Sequence, residues 1–268
     1  MCDASFSICL GQNGLTDPVY GARTGLSSPF WLIFGMDEKS VAATDGLTPK
    51  GRATRSRIVR AAAELMYRQG VARTSLDDVR ASASVSSSQL YHYFDDKSAL
   101  VSAVIAHQAE LVLGGQQPHL ASLDSVPALR AWRDVLVRIR RRARCLGGCP
   151  IGSLASELAD TDPAARSELA DAFRRWEASI RAGLRAMKER GELPARSKPD
   201  NLAVALLAAV QGGILLSQIH GRTDPMEVAL DTVIEHIASL MKSSPPRDGR
   251  PGRRTNRRAV RGRARAAD

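Results

Sequence analysis

The stretch VSSSQLYHYF, residues 85–94, decides how this chain is interpreted. It holds three serines, a glutamine, a histidine and two tyrosines among few aliphatic residues. A core strand would be more apolar, and a solvated helix face would carry glutamate and lysine. The stretch instead offers small hydroxyls, an amide, phenols and an imidazole, which are groups suited to a polar partner.

A second short helix is predicted just before this stretch, beginning at Thr74 and Ser75, with acidic residues in its first turn where the helix dipole favours them. Residues 84–86 are expected to form a turn. Ser86 followed by Gln89 has the spacing of a capping box, so the next helix starts there. Short helix, tight turn and short helix make a helix-turn-helix, whose second helix enters the major groove of DNA.

The side chains of that second helix fit the two kinds of DNA contact. The serines at 86–88 are small enough to let the helix approach the bases, and the Gln89 amide can make a bidentate contact to adenine. Tyr91 and His92 can reach phosphates, which set register rather than sequence. The aromatic residues at 93–94 are expected to turn inward and seat the helix.

The rest of the chain has helical periodicity and no β alternation, which predicts an all-α protein. Helices are expected at about 54–69 and 95–113. Longer ones begin near Ser125, Pro163, Pro199 and Asp224, and CLGGCP at 145–150 interrupts the pattern. The architecture is an N-terminal three-helix helix-turn-helix domain followed by a C-terminal helix bundle for ligand binding and dimerisation.

Four parts are predicted along the chain: a disordered N-terminal extension (1–50), a helix-turn-helix domain (51–98), a regulatory and dimerisation domain (99–242) and a disordered arginine-rich tail (243–268). Met36 opens a polar stretch typical of a translation start. Residues 1–35 therefore either belong to the protein or precede its start.

The composition of the chain indicates which class of partner it binds and in which cellular compartment it works. The 268 residues carry 38 Lys and Arg against 28 Asp and Glu, a formal charge of +10 that favours a polyanion such as nucleic acid. The tail alone has nine Arg and two Asp, or +7 of that excess. Four cysteines make no disulfide framework, and no run of about 20 apolar residues or basic leader is expected. The prediction is a cytoplasmic protein with no membrane partner.

Residues 54–100 closely resemble the DNA-binding domain of TetR-family transcriptional regulators. The resemblance lies in TSLDDVRASASVSSSQLYHYFDDKSAL, with its opening threonine, its Val-Ser pair, Leu-Tyr-x-Tyr-Phe, and the lysine and leucine that follow. The later GGCPIGSLASELA (147–159) resembles the regulatory domain of the LmrA/YxaF-like subgroup. The resemblance implies phosphate contacts by Thr74, Tyr91, His92 and Lys97, and base contacts by Ser86, Ser87, Ser88 and Gln89.

Two positions depart from the family pattern. Ser84 stands where the family usually has a turn glycine, so the turn should place a serine in a left-handed conformation. Ser87 stands where a basic residue is common, which predicts weaker or less salt-dependent binding. Arg55, with its neighbours Arg52 and Arg57, either reaches the minor groove or phosphates or forms a solvated basic face.

The helix at 199–219 is apolar on nearly every side, which predicts that it is buried or shared between subunits. Together with the helix at 225–241 it would form a dimer face. Helix-turn-helix proteins bind half-sites about 34–36 Å apart as dimers, so the predicted operator is palindromic double-stranded DNA and the predicted partner is a second copy. The interface is expected to contain Leu206, Val210, Gly213, Ile214 and Ile237.

An aromatic stripe in the bundle is either core or the lining of a ligand cavity. The family resemblance favours a pocket for an unknown small apolar or aromatic effector, with Trp132, Leu136, Phe173 and Trp176 as its lining. Cys145 and Cys149 are either a redox pair or ordinary packing residues. Their surroundings in the sequence make a metal site improbable, and no cofactor is expected.

The sequence thus predicts a sequence-specific DNA-binding transcriptional regulator, a homodimeric repressor that a ligand releases from DNA. An enzyme is not expected, because the chain has no nucleophile–base pair, metal cluster or phosphate loop. The alternative is a basic architectural DNA-binding protein without a small-molecule ligand, which would bind through its arginine tail.

Overall fold

A computed structural model describes residues 46–242, and within that range the chain is all-α, without strands. The residues predicted as tail, and the first 45 of the predicted extension, lie outside the described part. The helices are α1 Pro49–Gln69, α2 Leu76–Ala83, α3 Ser87–Tyr93, α4 Lys97–Gly114, α5 Val126–Arg142, α6 Pro150–Leu158, α7 Pro163–Glu189, α8 Pro199–His220 and α9 Asp224–Lys242, with a 3-10 turn at His119–Ala121.

Residues 46–96, here called the head, contain the three helices α1 to α3. Helix α1 begins at Pro49, about five residues earlier than predicted. The cause is a cap: the Thr48 hydroxyl accepts a hydrogen bond from the Gly51 amide, and proline suits the first helical position. Ile58, Val79 and Leu90 form the small core that the three helices share.

The two short helices of the head are both held by capping boxes. At α2 the Ser75 side chain accepts from the Asp78 amide, and the Asp78 carboxylate accepts in return from the Ser75 amide. Ser86 and Gln89 do the same at α3. Helices of eight and seven residues gain few internal hydrogen bonds, so satisfied first turns matter more to them than to long helices.

The turn between α2 and α3 confirms the conformation expected at Ser84, which has φ 51° and ψ 53°. A serine in the left-handed region costs about 1–2 kcal/mol relative to the right-handed one. The Ser84 amide donates to the carbonyl of Ala81, which closes the turn tightly. The inward packing expected at 93–94 is also confirmed: Phe94 is buried and Tyr93 packs against the core.

Residues 97–242, here called the body, pack longer helices around a continuous apolar core. Helix α4 contacts α1, α6 and α7, while α8 packs between α7 and α9. Helices α5 to α8 each have a proline in the first turn, where its missing amide hydrogen costs nothing. Trp132, Trp176, Ile180 and Leu206 lie at the centre of this core, all nearly inaccessible to solvent.

Helix α6 was not predicted. The sequence pattern does break at 145–150, where Arg144 and Cys145 have φ of 52° and 57° and Gly147 has 67°. Pro150 then starts a nine-residue helix whose inward face includes Ile151 and Leu154. Because a short apolar run has no clear period, its length alone could not separate a helix from a loop.

Helix α8 is long and apolar enough to cross a membrane by length and composition, with a mean hydropathy of 1.9. The expectation that no segment meets those two criteria is therefore wrong. In the structure, α7 and α9 cover one side of α8, which makes that side part of the core. The other side is uncovered.

Candidate nucleic-acid interface and the surfaces coupled to it

Helix α3 presents a row of exposed polar side chains. Leu90 is buried, which turns the opposite side of the helix to solvent. We call the exposed row the polar surface; it consists of Ser87, Ser88, Gln89, Tyr91 and His92. Tyr91 is 55% exposed. The sequence-predicted residues of this helix are thus brought together on one accessible face.

Gln89 has a structural task as well as the predicted one. Its side-chain oxygen accepts from the Ser86 amide at 2.9 Å, while the Ser86 hydroxyl accepts from the Gln89 amide at 3.1 Å. The amide nitrogen of the Gln89 side chain has no hydrogen-bond partner within residues 46–242. A bidentate contact with adenine would therefore use that nitrogen and the second lone pair of an oxygen already bonded to the cap.

The structure corrects the expectation for Thr74. Its side chain is 1% exposed and its hydroxyl donates to the Gly70 carbonyl at 2.8 Å, so the hydroxyl has no free surface for a phosphate. The N-cap of α2 is the next residue, Ser75. The sequence alone could not tell which of the two adjacent hydroxyl residues, Thr74 or Ser75, caps α2 and which is buried.

Lys97, for which the resemblance implies a phosphate contact, is half-buried. Its ammonium donates to the Val71 carbonyl at 2.7 Å, which ties the start of α4 to the loop after α1. The side chain thus contributes to the packing of the head. Its predicted contact with a phosphate would have to use the remaining ammonium hydrogens.

The arginines of α1 also have partners within the head. The Arg55 guanidinium lies 5.1 Å from the ring centre of Phe94, in cation–π geometry. Arg57 donates to the Ala83 carbonyl at 2.9 Å, at the end of α2. These contacts hold α1 against the helix-turn-helix. They also fix the position of the Arg55 charge beside α3.

A hydrogen-bonded joint connects the head to the body, and sequence reasoning missed it. The Glu157 carboxylate on α6 accepts from the amides of Val71 and Ala72 at 2.8 and 2.7 Å. Nearby, the Tyr67 hydroxyl of α1 donates to the Gly148 carbonyl at 3.0 Å. We call these three contacts the joint. On the body side, these contacts are made by residues 147–159, the segment that resembles the LmrA/YxaF-like subgroup. That resemblance did not predict which residues the segment contacts.

A cavity of about 40 Å³ lies in the body beside this joint. Of the predicted lining, Leu136 and Trp176 are present. Trp132 and Phe173 do not line it. Trp132 lies in the core with its indole N–H donating to Gln116 at 2.9 Å, and Phe173 packs at the edge of the core. An apolar stripe shows which side of a helix is inward but not which inward residues meet a void.

Two of the polar side chains that line the cavity have a hydrogen-bond donor left over. Arg140 is 6% exposed and donates to the Cys145 carbonyl at 2.8 Å, while its Nε has no partner among residues 46–242. The Trp176 indole nitrogen also lacks one. Burial raises the pKa of the Tyr67 hydroxyl to about 12 and raises the pKa of the Cys149 thiol, so both are neutral near pH 7.

Cys145 and Cys149 are both buried free thiols at the two ends of the loop that borders the cavity. Their roles as redox pair or packing residues remain the two predictions. No cluster of metal-ligating side chains occurs within the described residues. A second cavity, of about 110 Å³, lies between α1 and α6, and Tyr67 and Pro150 line both cavities. The joint therefore lies among the walls of two voids.

The uncovered side of α8 forms a second exposed surface. We call it the apolar surface; it consists of Val204, Leu215, Leu216 and Ile219 on α8 and Val228 on α9, each 45–69% exposed. The residues predicted for the dimer interface lie elsewhere. Leu206, Val210, Gly213, Ile214 and Ile237 are buried within the same chain.

Two adjacent glycines show how sharply α8 divides into these sides. A Cβ built on Gly213 would lie 2.7 Å from the Met226 Cα of α9, so only glycine fits there. A Cβ on Gly212 would meet nothing within 4 Å. Gly212 is thus on the uncovered side of α8.

Comparison with known proteins agrees with both halves of the fold. Residues 58–104 match the family described as "Bacterial regulatory proteins, tetR family", and residues 125–233 match "Tetracyclin repressor-like, C-terminal domain". The transcriptional regulator TtgR of Pseudomonas putida is 30% identical over 167 residues, 59% of this chain and 77% of that protein. The regulator YxaF of Bacillus subtilis is 26% identical over 175 residues, 65% of this chain and 89% of that protein, consistent with the predicted subgroup.

Solved structures give the same result. A TetR transcriptional regulator from Chloroflexus aurantiacus is 28% identical, with a TM-score of 0.60 over 72% of this chain and 98% of its own. The similarity extends from the helix-turn-helix through the body. It includes the helices that carry the polar surface, the joint and the apolar surface.

Proposed function

Because this chain belongs to the TetR family of transcriptional regulators, which bind DNA and are not enzymes, we propose that it is a homodimeric repressor released from its operator by a small molecule. The observation that supports this most strongly is the joint: one carboxylate of the body holds two main-chain amides of the head. Such a contact lets a change in the body alter the position of the polar surface.

DNA contact is assigned to the polar surface. Ser87, Ser88 and the Gln89 amide nitrogen lie at the start of α3, the end that meets base edges in helix-turn-helix proteins. Tyr91 and His92 are exposed farther along, where hydroxyl and imidazole groups suit phosphates. Arg55 adds positive charge beside α3.

Dimerisation is assigned to the apolar surface. Five large exposed apolar side chains on neighbouring helices are costly in water, and a second copy would cover them with an identical set. A two-fold dimer presents two α3 helices, which can meet half-sites about 34–36 Å apart on a palindromic operator. The protein would work in the cytoplasm, beside the DNA.

Release is assigned to the cavities beside the joint. A ligand there would press on residues 143–149 and on α6, which carries Glu157. Displacing α6 would tilt the head and change the separation of the two α3 helices. The effector can do this only by binding the tilted state more tightly, with a coupling of about 1–3 kcal/mol.

The other candidate is a basic architectural protein that binds DNA through its tail, as the nine tail arginines suggest. Selection of duplexes from random DNA distinguishes the two. A repressor should yield a palindromic motif bound about 1,000-fold or more tightly than scrambled DNA. Equal affinity for the selected and scrambled duplexes would support the architectural protein and contradict the repressor.

A further inference from the structure

Arg140 is a buried cation without an anionic partner in residues 46–242. Its neighbour on α5, Arg141, pairs with Glu227 at 2.8 Å, and Arg133, two turns earlier, pairs with Asp231 at 2.6 Å. Arg140 instead turns inward, is 6% exposed and meets only the carbonyls of residues 145 and 146. Burying a charge without a counter-charge is expensive.

The groups around Arg140 do not supply the missing charge. Tyr67 and Cys149 line the same cavity, and burial keeps each in its neutral form near pH 7. Burial lowers the pKa of the Arg140 guanidinium, yet arginine stays protonated in proteins. The cavity therefore has a net positive charge.

The second unpartnered group in the wall is also a donor. Trp176 is only 1% exposed, and its indole N–H has no acceptor in the described part of the chain. Together with the Arg140 Nε–H, it makes two unfilled donors among the buried side-chain atoms of this lining, and no buried side-chain oxygen of the lining lacks a partner within residues 46–242. The other walls include Leu136, Ile139 and Ile214, which are apolar.

The geometry points to a small carboxylate with an apolar or aromatic body as the ligand of this cavity, with Arg140 binding its carboxylate. Unfilled donors and a positive charge select an anionic acceptor and disfavour amines. The apolar walls select the body. This inference rests on the proposed function, in which the cavity holds the effector, and it specifies the chemical class of that effector.

Size and placement explain how such a ligand could act. About 40 Å³ holds roughly three water molecules, so the carboxylate fits and a larger body must push residues 143–149 outward. Those residues include Arg144 and Cys145 in left-handed conformations, which favour rearrangement once displaced. A carboxylate also competes with the Cys145 carbonyl for the guanidinium, which loosens the same loop.

The test uses the full-length protein without DNA and three matched probes: phenylacetate, its neutral amide, and phenethylamine. Binding is measured by calorimetry and by quenching of tryptophan fluorescence. We expect phenylacetate to bind about tenfold or more tightly than the amide, and the amine to bind more weakly than either. Equal affinities for acid and amide, or no binding of any probe at millimolar concentration, would overturn the inference.

Two variants assign the effect to Arg140. Arg140→Gln should weaken phenylacetate binding about tenfold or more and leave the amide unchanged. Arg142→Gln, at an exposed position of the same helix, should change neither. Phenylacetate should raise the melting temperature of the wild type but not of Arg140→Met, whose own melting temperature should not fall because a buried unpaired charge has been removed. A melting temperature of Arg140→Met that phenylacetate still raises would contradict the assignment.

Operator release is measured separately, so the two proposals fail in different ways. If phenylacetate binds through Arg140 but leaves the protein on its selected operator, the anion site stands and its role as effector site is wrong. If another compound releases DNA while anion and amide bind equally, the repressor stands and the anion site is wrong.

Discussion

The polar surface on α3 and the apolar surface on α8 and α9 are both uncovered, yet they are built in opposite ways. Helix α3 has seven residues and is held by a capping box, with one buried leucine as its anchor. Helix α8 has 22 residues and is held by burial along one whole side. Under the roles proposed above, a contact surface for a hydrated polyanion can be small and locally supported, whereas a surface for a protein partner rests on a broad rigid support.

Charge placed on the apolar surface should have the largest effect. Leu215→Glu with Ile219→Glu would bury two like charges at a two-fold interface, which costs several kcal/mol. We expect monomers in sedimentation and a loss of operator affinity of about 100-fold or more. Ala182→Glu, at an exposed position of α7, is the control and should stay dimeric. A dimer that survives the double change would mean that the interface lies elsewhere.

One methyl group should separate the two sides of α8. Gly213→Ala forces the backbone of α9 away and should lower the free energy of unfolding by about 1–3 kcal/mol. Gly212→Ala meets open space in the chain and should not destabilise it, because alanine favours the helix. Urea unfolding of both variants is the measurement. Equal stabilities would contradict the division of α8 into a covered and an uncovered side.

On the polar surface the effect should fall on selectivity. Gln89→Ala should relax discrimination at one base pair of each half-site by about 1–3 kcal/mol. Because Gln89 also completes a capping box, Ser86→Ala is the control for stability, with a cost of about 1 kcal/mol. Affinities for the selected operator and its single-base variants decide the matter. Uniform weakening across all sequences would reduce Gln89 to a capping residue.

Lys97 combines a packing contact within the head with a predicted contact to a DNA phosphate. Lys97→Ala removes the 2.7 Å contact with the Val71 carbonyl and should lower stability by about 1 kcal/mol. It should also weaken binding to every DNA sequence by a similar factor and reduce the salt slope by about one unit per subunit or less. Thermal unfolding and salt titrations measure the two effects. An unchanged melting temperature would show that the hydrogen bond contributes nothing to the head.

Removing the tail should have the smallest effect on operator choice. Truncation after Lys242 deletes nine arginines, which should reduce affinity for random DNA and flatten its salt dependence. The ratio of affinities among operator variants should stay the same, because the polar surface is intact. If the truncated protein no longer discriminated among operator variants, the tail and not the polar surface would contact the bases.

Local features of the head could be predicted from sequence because their partners lie within a few residues. The Ser86–Gln89 capping box follows from a tetrapeptide, and the left-handed Ser84 follows from its place at the turn where the resembling family usually has glycine. The inward turn of Phe94 follows from its place one helical turn after Leu90. Thr74 and Lys97 were placed less well, since each is held by a carbonyl of the loop after α1.

The body resisted prediction for two physical reasons. Helix α8 is apolar on nearly all sides, so its sequence has no phase that distinguishes the side facing the core from the side facing outward. The buried Leu206 and the exposed Leu215 look alike in the sequence. The joint was missed because Glu157 and its amide partners are 85 and 86 residues apart, and a main-chain partner leaves no trace in side-chain chemistry.

That last property has an evolutionary consequence. Glu157 binds main-chain amides, which every residue except proline possesses, so the mechanical link does not depend on the identity of residues 71 and 72. Residues 71 and 72 of the head can therefore change to any residue except proline while Glu157 of the body still binds their main-chain amides. The contact between head and body at Glu157 is thus insensitive to substitutions at its two partner positions.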